Sequence, residues 1–194
     1  MNVIFWDTET NGLEKHHSVL SISAVKCVFD IENDKVDSKI IDHYERFYYR
    51  KANESIGAKA IDINGLTDDV IKVKRKNATY PEYFCNDITS FKLFCSDTTH
   101  FVGHNIFYDK QYINFWLPNM FCTMKSNIKI LNLKRQCRKL KFPSLEETAK
   151  YYDIKIDENE LHNSMYDSYI TYQIFCKMII DENTSKKVTD FLNN

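Results

Sequence analysis

The chain has 194 residues, 43% of them hydrophobic, with 26 lysines and arginines against 27 aspartates and glutamates and a formal net charge of −1. This length and apolar fraction suit one domain with a full core, and the charge excludes a protein that coats nucleic acid by bulk basicity. The six cysteines form no C-x-x-C pair and lie at no zinc-ligand spacing with a histidine, and neither a secretory leader nor a membrane-length apolar run is present. The expectation is a cytoplasmic, reducing interior with free thiols and no membrane contact.

In chain order, residues 2–7 read as a short buried strand, and residues 18–29 and 36–49 as β-rich segments around an acidic turn, Asp30 to Asp34. Three antiparallel strands therefore open the chain. Residues 53–62 and 66–72 look helical, separated by the turn signal Asn64-Gly65. From Pro81 to Cys95, Phe84, Ile88, Phe91 and Phe94 recur at helical spacing. His100–Gly103 reads as a short strand. A helix is expected from about Asn105 through Trp116, ended by Pro118.

Ser144-Leu-Glu-Glu147 is a capping box that opens a helix to about Tyr152. A long helix follows from Ser164 through Met178. Three strands and then alternating helices and short strands indicate an α/β layered domain, expected to span residues 1–182. Residues 183–194 read as a polar tail with a short helix ending at Phe191-Leu192.

Seven basic residues without an intervening acid run from Lys125 to Lys141 and include Lys134, Arg135, Arg138 and Lys139. Such a run is either a solvated face or a track for phosphates.

Three acidic motifs stand out. Asp7 and Glu9 are two apart, which on a strand puts both carboxylates on one face. That arrangement is costly unless a divalent cation lies between them. In His104-Asn-Ile-Phe-Tyr-Asp109 a strand passes into a helix whose first turn carries an acid. In His162-Asn-Ser-Met-Tyr-Asp167 a loop histidine precedes a helix that presents an aspartate.

In order, spacing and local structure these motifs resemble the DnaQ-like, DEDDh-type 3′–5′ exonucleases, over nearly the whole chain from Asp7 to about Ile180. The segments that carry the resemblance are Asp7-Thr-Glu9-Thr-Asn-Gly12, His104 to Asp109, and His162 with Asp167. Asn64-Gly-Leu-Thr67, Cys122-Thr-Met124 and Pro143-Ser-Leu145 are similar to landmarks between them. The chain departs from the family pattern at Ile106, Tyr108, Cys122 and Ser164, where a small residue, Phe, Asp and Ala are usual.

The resemblance implies a ribonuclease H-like three-layer fold, with a mixed central sheet of three antiparallel strands and then parallel strands, flanked by helices. It implies hydrolysis of single-stranded DNA or RNA from a free 3′ end to nucleoside 5′-monophosphates, with DNA favoured. Asp7, Glu9, Asp109 and Asp167 would hold two divalent cations, Mg²⁺ or Mn²⁺, and His162 would act as general base. Thr8, Leu13, His104, Asn105, Phe107 and Tyr108 would contact substrate, Leu13 as a wedge under the last base. A polymerase or another repair protein is an expected partner. RNA trimming, and a non-catalytic module that binds nucleic acid or a polymerase, are the alternatives.

Overall fold

A computed structural model describes residues 1–32, 35–134 and 139–194. Its centre is a five-stranded sheet in the order β3-β2-β1-β4-β5. Strand β1 (Asn2–Thr10) pairs antiparallel with β2 (Val19–Glu32), and β2 with β3 (Lys35–Phe47). On its other side β1 runs parallel to β4 (His100–Gly103), and β4 to β5 (Asn119–Cys122). The mixed sheet expected from the sequence is present.

β1 is buried on both faces because its residues alternate between two cores. Val3 and Phe5 meet α7 (Ser164–Ile180), where Ile170, Ile174 and Phe175 are buried. Ile4 and Trp6 meet α3 (Ile88–Phe94) and α4 (Ile106–Asp109) through Phe91 and Ile106. Helices on both faces complete the three layers. Among the described residues no helix is long and apolar enough to cross a membrane.

Several elements differ from their sequence expectations for local reasons. The first helix, α1, spans Ala58–Asn64, not 53–62, because Glu54 is drawn into contacts with Asn11 and Ser18. The next, α2, spans Asp68–Lys74 and is capped by Thr67. The Pro81–Cys95 segment divides into a 3₁₀ turn, Phe84–Asn86, and α3. At the division the buried Asp87 accepts from Arg46 (2.6 Å), Tyr48 (2.9 Å) and Ser90 (2.6 Å).

The helix expected through Trp116 stops after α4 and one 3₁₀ turn, Lys110–Tyr112. Beyond it Ile113, Phe115 and Leu117 turn inward while Asn114 and Trp116 face solvent, a period of two that no helix can satisfy. The sequence reading missed β5 and α5 (Thr123–Leu131). Cys27, Cys85, Cys95, Cys122 and Cys176 are free thiols. Of the basic run, Arg135 and Arg138 lie outside the described residues. Lys141 pairs with Glu147 of the capping box that opens α6 (Leu145–Tyr151).

The C-terminal segment forms α8 (Ser185–Leu192), and Val188, Phe191 and Leu192 join the core on the α7 side. The Phe191 ring lies 5.2 Å from Phe121 and 5.0 Å from His100. Phe191→Ala is expected to cost about 3–5 kcal/mol, a fall in melting temperature on the order of 10 °C for a chain of this size. Asp190→Ala, on the exposed side of the same helix, should melt like the parent. Equal melting temperatures for the two variants would remove α8 from the cooperative core.

Candidate active site

The site forms where β1 leaves the core. Asp7 and Glu9 continue the face that carries Val3 and Phe5 toward α7, and each keeps an edge open to solvent. Thr8, between them, turns to the other face. There its backbone N–H (3.1 Å) and hydroxyl (2.7 Å) both donate to Oδ1 of the buried Asp109.

Asp109 reaches this point because the chain reverses sharply between β4 and α4. Asn105 adopts φ 75°, a left-handed conformation that Asn tolerates better than most residues. Gly103 lets the fully buried Ile106 pack close, since a Cβ at Gly103 would lie 2.9 Å from the Ile106 Cβ.

From the opposite layer, α7 presents Asp167 in its first turn. Its N-terminus is docked on β2 by hydroxyls: Ser164 bonds Ser21 (2.8 Å) and Ser23 (2.7 Å), and Ser168 donates to the Ser23 carbonyl (3.1 Å). Asn163 caps the helix through the Met165 N–H. His162 precedes it at φ 66°, solvent-exposed, with its backbone N–H donating to Asp167 Oδ2 at 3.2 Å. Side-chain donor atoms of Glu9, His162 and Asp167 lie within 4.8 Å of one another.

All four carboxyls are held above their ordinary range. Burial raises Asp7 well above it, and Asp109, Asp167 and Glu9 add like-charge repulsion. Burial and the neighbouring Asp167 push Glu9 up to about 8. Burial takes Asp109 to about 7 against the opposing bonds from Thr8, and Asp167 to about 7. Oδ1 of Asp167 is buried without a hydrogen-bond partner among the described residues. Clustered, desolvated oxygen donors with an unsatisfied acceptor are the chemistry of a hard divalent cation site. The residues fit such an ion.

Beside the carboxylates lies a cleft of roughly 630 Å³, walled by Leu13, Tyr108 and the α1 residues Ala60 and Ile63. Leu13 is 84% exposed on its rim. Tyr108 donates to the Gly12 carbonyl (3.0 Å) and bonds the Thr10 hydroxyl (2.8 Å), which holds the loop after β1.

The other expected substrate residues are placed differently. Phe107 is exposed, with the Lys125 ammonium 3.8 Å from its ring centre. His104 spends both ring nitrogens on the protein: Nε2 donates to the Pro143 carbonyl and Nδ1 accepts from Thr123, both at 3.0 Å. Burial lowers its pKa to about 4, so it is a neutral tie between loops. Asn105 serves the backbone reversal described above.

Sequence reasoning missed the clasp that holds α1 across the cleft. The buried Asn11 donates to Glu54 (2.6 Å) and to the Ser55 carbonyl (2.8 Å) and accepts from the Gly57 N–H (2.9 Å). Asn64, at the other end of α1, donates to the Thr10 carbonyl (3.2 Å) and also bonds Glu9. Both residues lie in segments that carry the resemblance, Asp7 to Gly12 and Asn64 to Thr67, but their partners are not visible in the sequence.

Comparison with known proteins agrees with this geometry. The exonuclease family model RNase_T matches residues 4–175. The DNA polymerase III subunit epsilon of Buchnera aphidicola subsp. Schizaphis graminum (strain Sg) is 25% identical over 190 residues, covering 91% of this chain and 73% of that protein. Exonuclease X, solved in complex with 5′ overhanging duplex DNA, superposes with a TM-score of 0.63 at 20% identity, over 98% of each chain. The nuclease domain of 3′hExo, a DEDDh family member bound to rAMP, superposes with a TM-score of 0.62 at 12% identity, over 94% of this chain and 92% of that one. The family match over most of the chain, together with acids converging from β1, α4 and α7, makes this protein a member of the RNase_T exonuclease family, a nuclease of the DnaQ-like, DEDDh type.

Proposed function

We propose that the protein removes nucleotides one at a time from the 3′ end of single-stranded nucleic acid, with DNA favoured, and releases nucleoside 5′-monophosphates. The observation that carries this reading is the convergence of Asp7, Glu9, Asp109 and Asp167 beside the exposed His162, with Asp167 Oδ1 buried and unpartnered. Asp7, Glu9, Asp109 and Asp167 would hold two divalent cations, Mg²⁺ or Mn²⁺. Divalent cations held there supply charge neutralisation at the scissile phosphate and a more acidic attacking water.

His162 takes the proton from that water; its exposure and its place at the open edge of the site suit a group that must return the proton to solvent. The cleft between Leu13 and α1 accepts the terminal nucleoside, with its base against Tyr108. The preference for DNA, and a polymerase as partner, are supported by the likeness to a DNA polymerase III subunit.

Asp7→Ala, Glu9→Ala, Asp109→Ala and Asp167→Ala are each expected to lower turnover by several orders of magnitude and to weaken Mn²⁺ binding. His162→Ala should lower the rate by roughly 10²–10⁴, the range for general-base catalysis, and leave Mn²⁺ binding largely intact. Calorimetry beside single-turnover rates separates the roles. If His162→Ala loses Mn²⁺ as completely as Asp7→Ala, the histidine is a ligand.

Direction is tested on oligonucleotides with blocked ends. A 3′-phosphate should slow degradation and a 5′-phosphate should not; cleavage of a circular single strand would mark an endonuclease instead.

The raised carboxyls also set the pH dependence of stability without divalent ions. Their folded pKa values, about 7 to 8 for Glu9, Asp109 and Asp167, exceed the roughly 4 of unfolded carboxyls. Their contribution is therefore fully present below about pH 4 and is lost as pH rises through 7 and 8. His104, lowered to about 4, acts with the opposite sign but only below about pH 6.5. From pH 6.5 to 8.5 in chelator the melting temperature should therefore fall. Mn²⁺ should reverse the fall, and Asp167→Asn should flatten it. A melting temperature that rises across this window in chelator would contradict the charge cluster.

A further inference from the structure

A second cavity, of roughly 230 Å³, adjoins the cleft through His17, which lines both. The His17 ring lies against Gly12 so closely that a Cβ there would sit 2.6 Å from it. The loop Gly12–His17, which carries Leu13, thus divides the two cavities.

The lining of this second cavity is selective in charge. Lys15, His16, His17 and Lys51 contribute to it, and no aspartate or glutamate does. Among the described residues neither Lys15 nor Lys51 forms an ion pair. Glu54 lines an adjoining depression with His16, His17 and Lys51; its carboxylate accepts from the Ser18 N–H and hydroxyl and from Asn11, and its charge acts on His17.

Four cationic or protonatable side chains that surround a recess without a carboxylate select an anion. The remaining wall is aromatic. Tyr83 lines it, half-buried and without a ring–ring contact among the described residues, and an aromatic wall of this kind suits a base. The volume is below that of a pocket enclosing a whole drug-sized ligand, so it suits a phosphate and part of a base.

We propose that this cavity is a second nucleotide site. It seats the phosphate of a nucleoside 5′-phosphate unit on Lys15, His16 and Lys51 and one face of its base on Tyr83. The unit comes either from a stretch of strand not being cut or from a released mononucleotide; the chemistry is the same. Occupancy bears directly on the loop that presents Leu13 to the cleft, which couples the site to substrate entry.

Cys85 is exposed and lines the cavity, which provides a local reporter. Its alkylation by iodoacetamide is followed by peptide mass spectrometry, in chelator so that nothing is hydrolysed. Adenosine 5′-monophosphate, inorganic phosphate, adenosine and a 3′-phosphorylated dodecathymidylate are compared as protectants. Adenosine 5′-monophosphate or the oligonucleotide should slow the reaction severalfold by covering the exposed thiol, and adenosine should not.

Protection should weaken with salt and be lost in Lys15→Ala/Lys51→Ala, whose altered side chains are both exposed. Protection by the oligonucleotide at lower concentration assigns the site to the strand, and protection by the mononucleotide alone assigns it to the product. Unchanged alkylation with both ligands, or protection retained in the double variant, overturns the proposal. Because the assay needs neither divalent ions nor turnover, either result leaves the assignment of the carboxylate cleft untouched.

Discussion

The structure is organised around a repulsion. Four carboxyl groups meet at the end of one buried strand; burial holds all of them above their ordinary range, and like charge adds to it at Asp7, Glu9 and Asp167. An arrangement that costs free energy in its ionised form must be held by something stronger than local preference. Here that is β1, whose Val3, Ile4, Phe5 and Trp6 are anchored in two cores at once. The strand cannot slide or rotate to relieve the acids without unpacking both. The approaching helices are fixed by polar ties: Asp109 by Thr8, and α7 by the serine contacts with β2. A divalent cation held among these carboxyls would relieve that repulsion, which would tie stability to the same charges.

Four strands of the sheet and the shared face of Asp7 and Glu9 were legible in the sequence because each rests on a short-range pattern. Asp7 and Glu9 show their shared face through period two. The capping box at Ser144 appears in the structure with both of its hydrogen bonds. What could not be read were choices made by distant partners. Asp87 breaks its helix because Arg46 and Tyr48, some forty residues earlier, need its carboxylate. Glu54 leaves α1 because Ser18 and Asn11 claim it. His104 looked like a substrate ligand, yet Thr123 and Pro143 occupy both of its nitrogens. In each case the partner that decides the side chain's role lies 19 to 43 residues away in sequence.

Helix α1 illustrates how the fold separates rigidity from access. It has no buried residue and is held near its two ends, by Asn11 through Gly57 and Ser55 and by Asn64 through Thr10. Its inward face is the apolar wall of the cleft. An element with little burial of its own opens at low cost, whereas Asp7 and Glu9 sit on β1, which is packed into both cores. The wall of the cleft is thus the part free to adjust, and the paired acids on β1 are the part that is not.

The four departures from the family pattern are each answered by a neighbour. Ile106 is large where a small residue is usual, and Gly103 leaves the space for it. Ser164 brings a hydroxyl to a buried position, and Ser21 and Ser23 satisfy it. Cys122 stands where an acid is usual at the start of α5, and its sulfur still accepts from the Lys125 N–H at 3.5 Å, a weaker version of the same cap. Tyr108 adds a hydroxyl to a ring position, and that hydroxyl ties down the Gly12 carbonyl and the loop bearing Leu13. Three of these changes are absorbed inside the layers and leave the cleft as it was. Of the four, Tyr108 alone lines the cleft, and so it is the departure placed to change the cleft's shape.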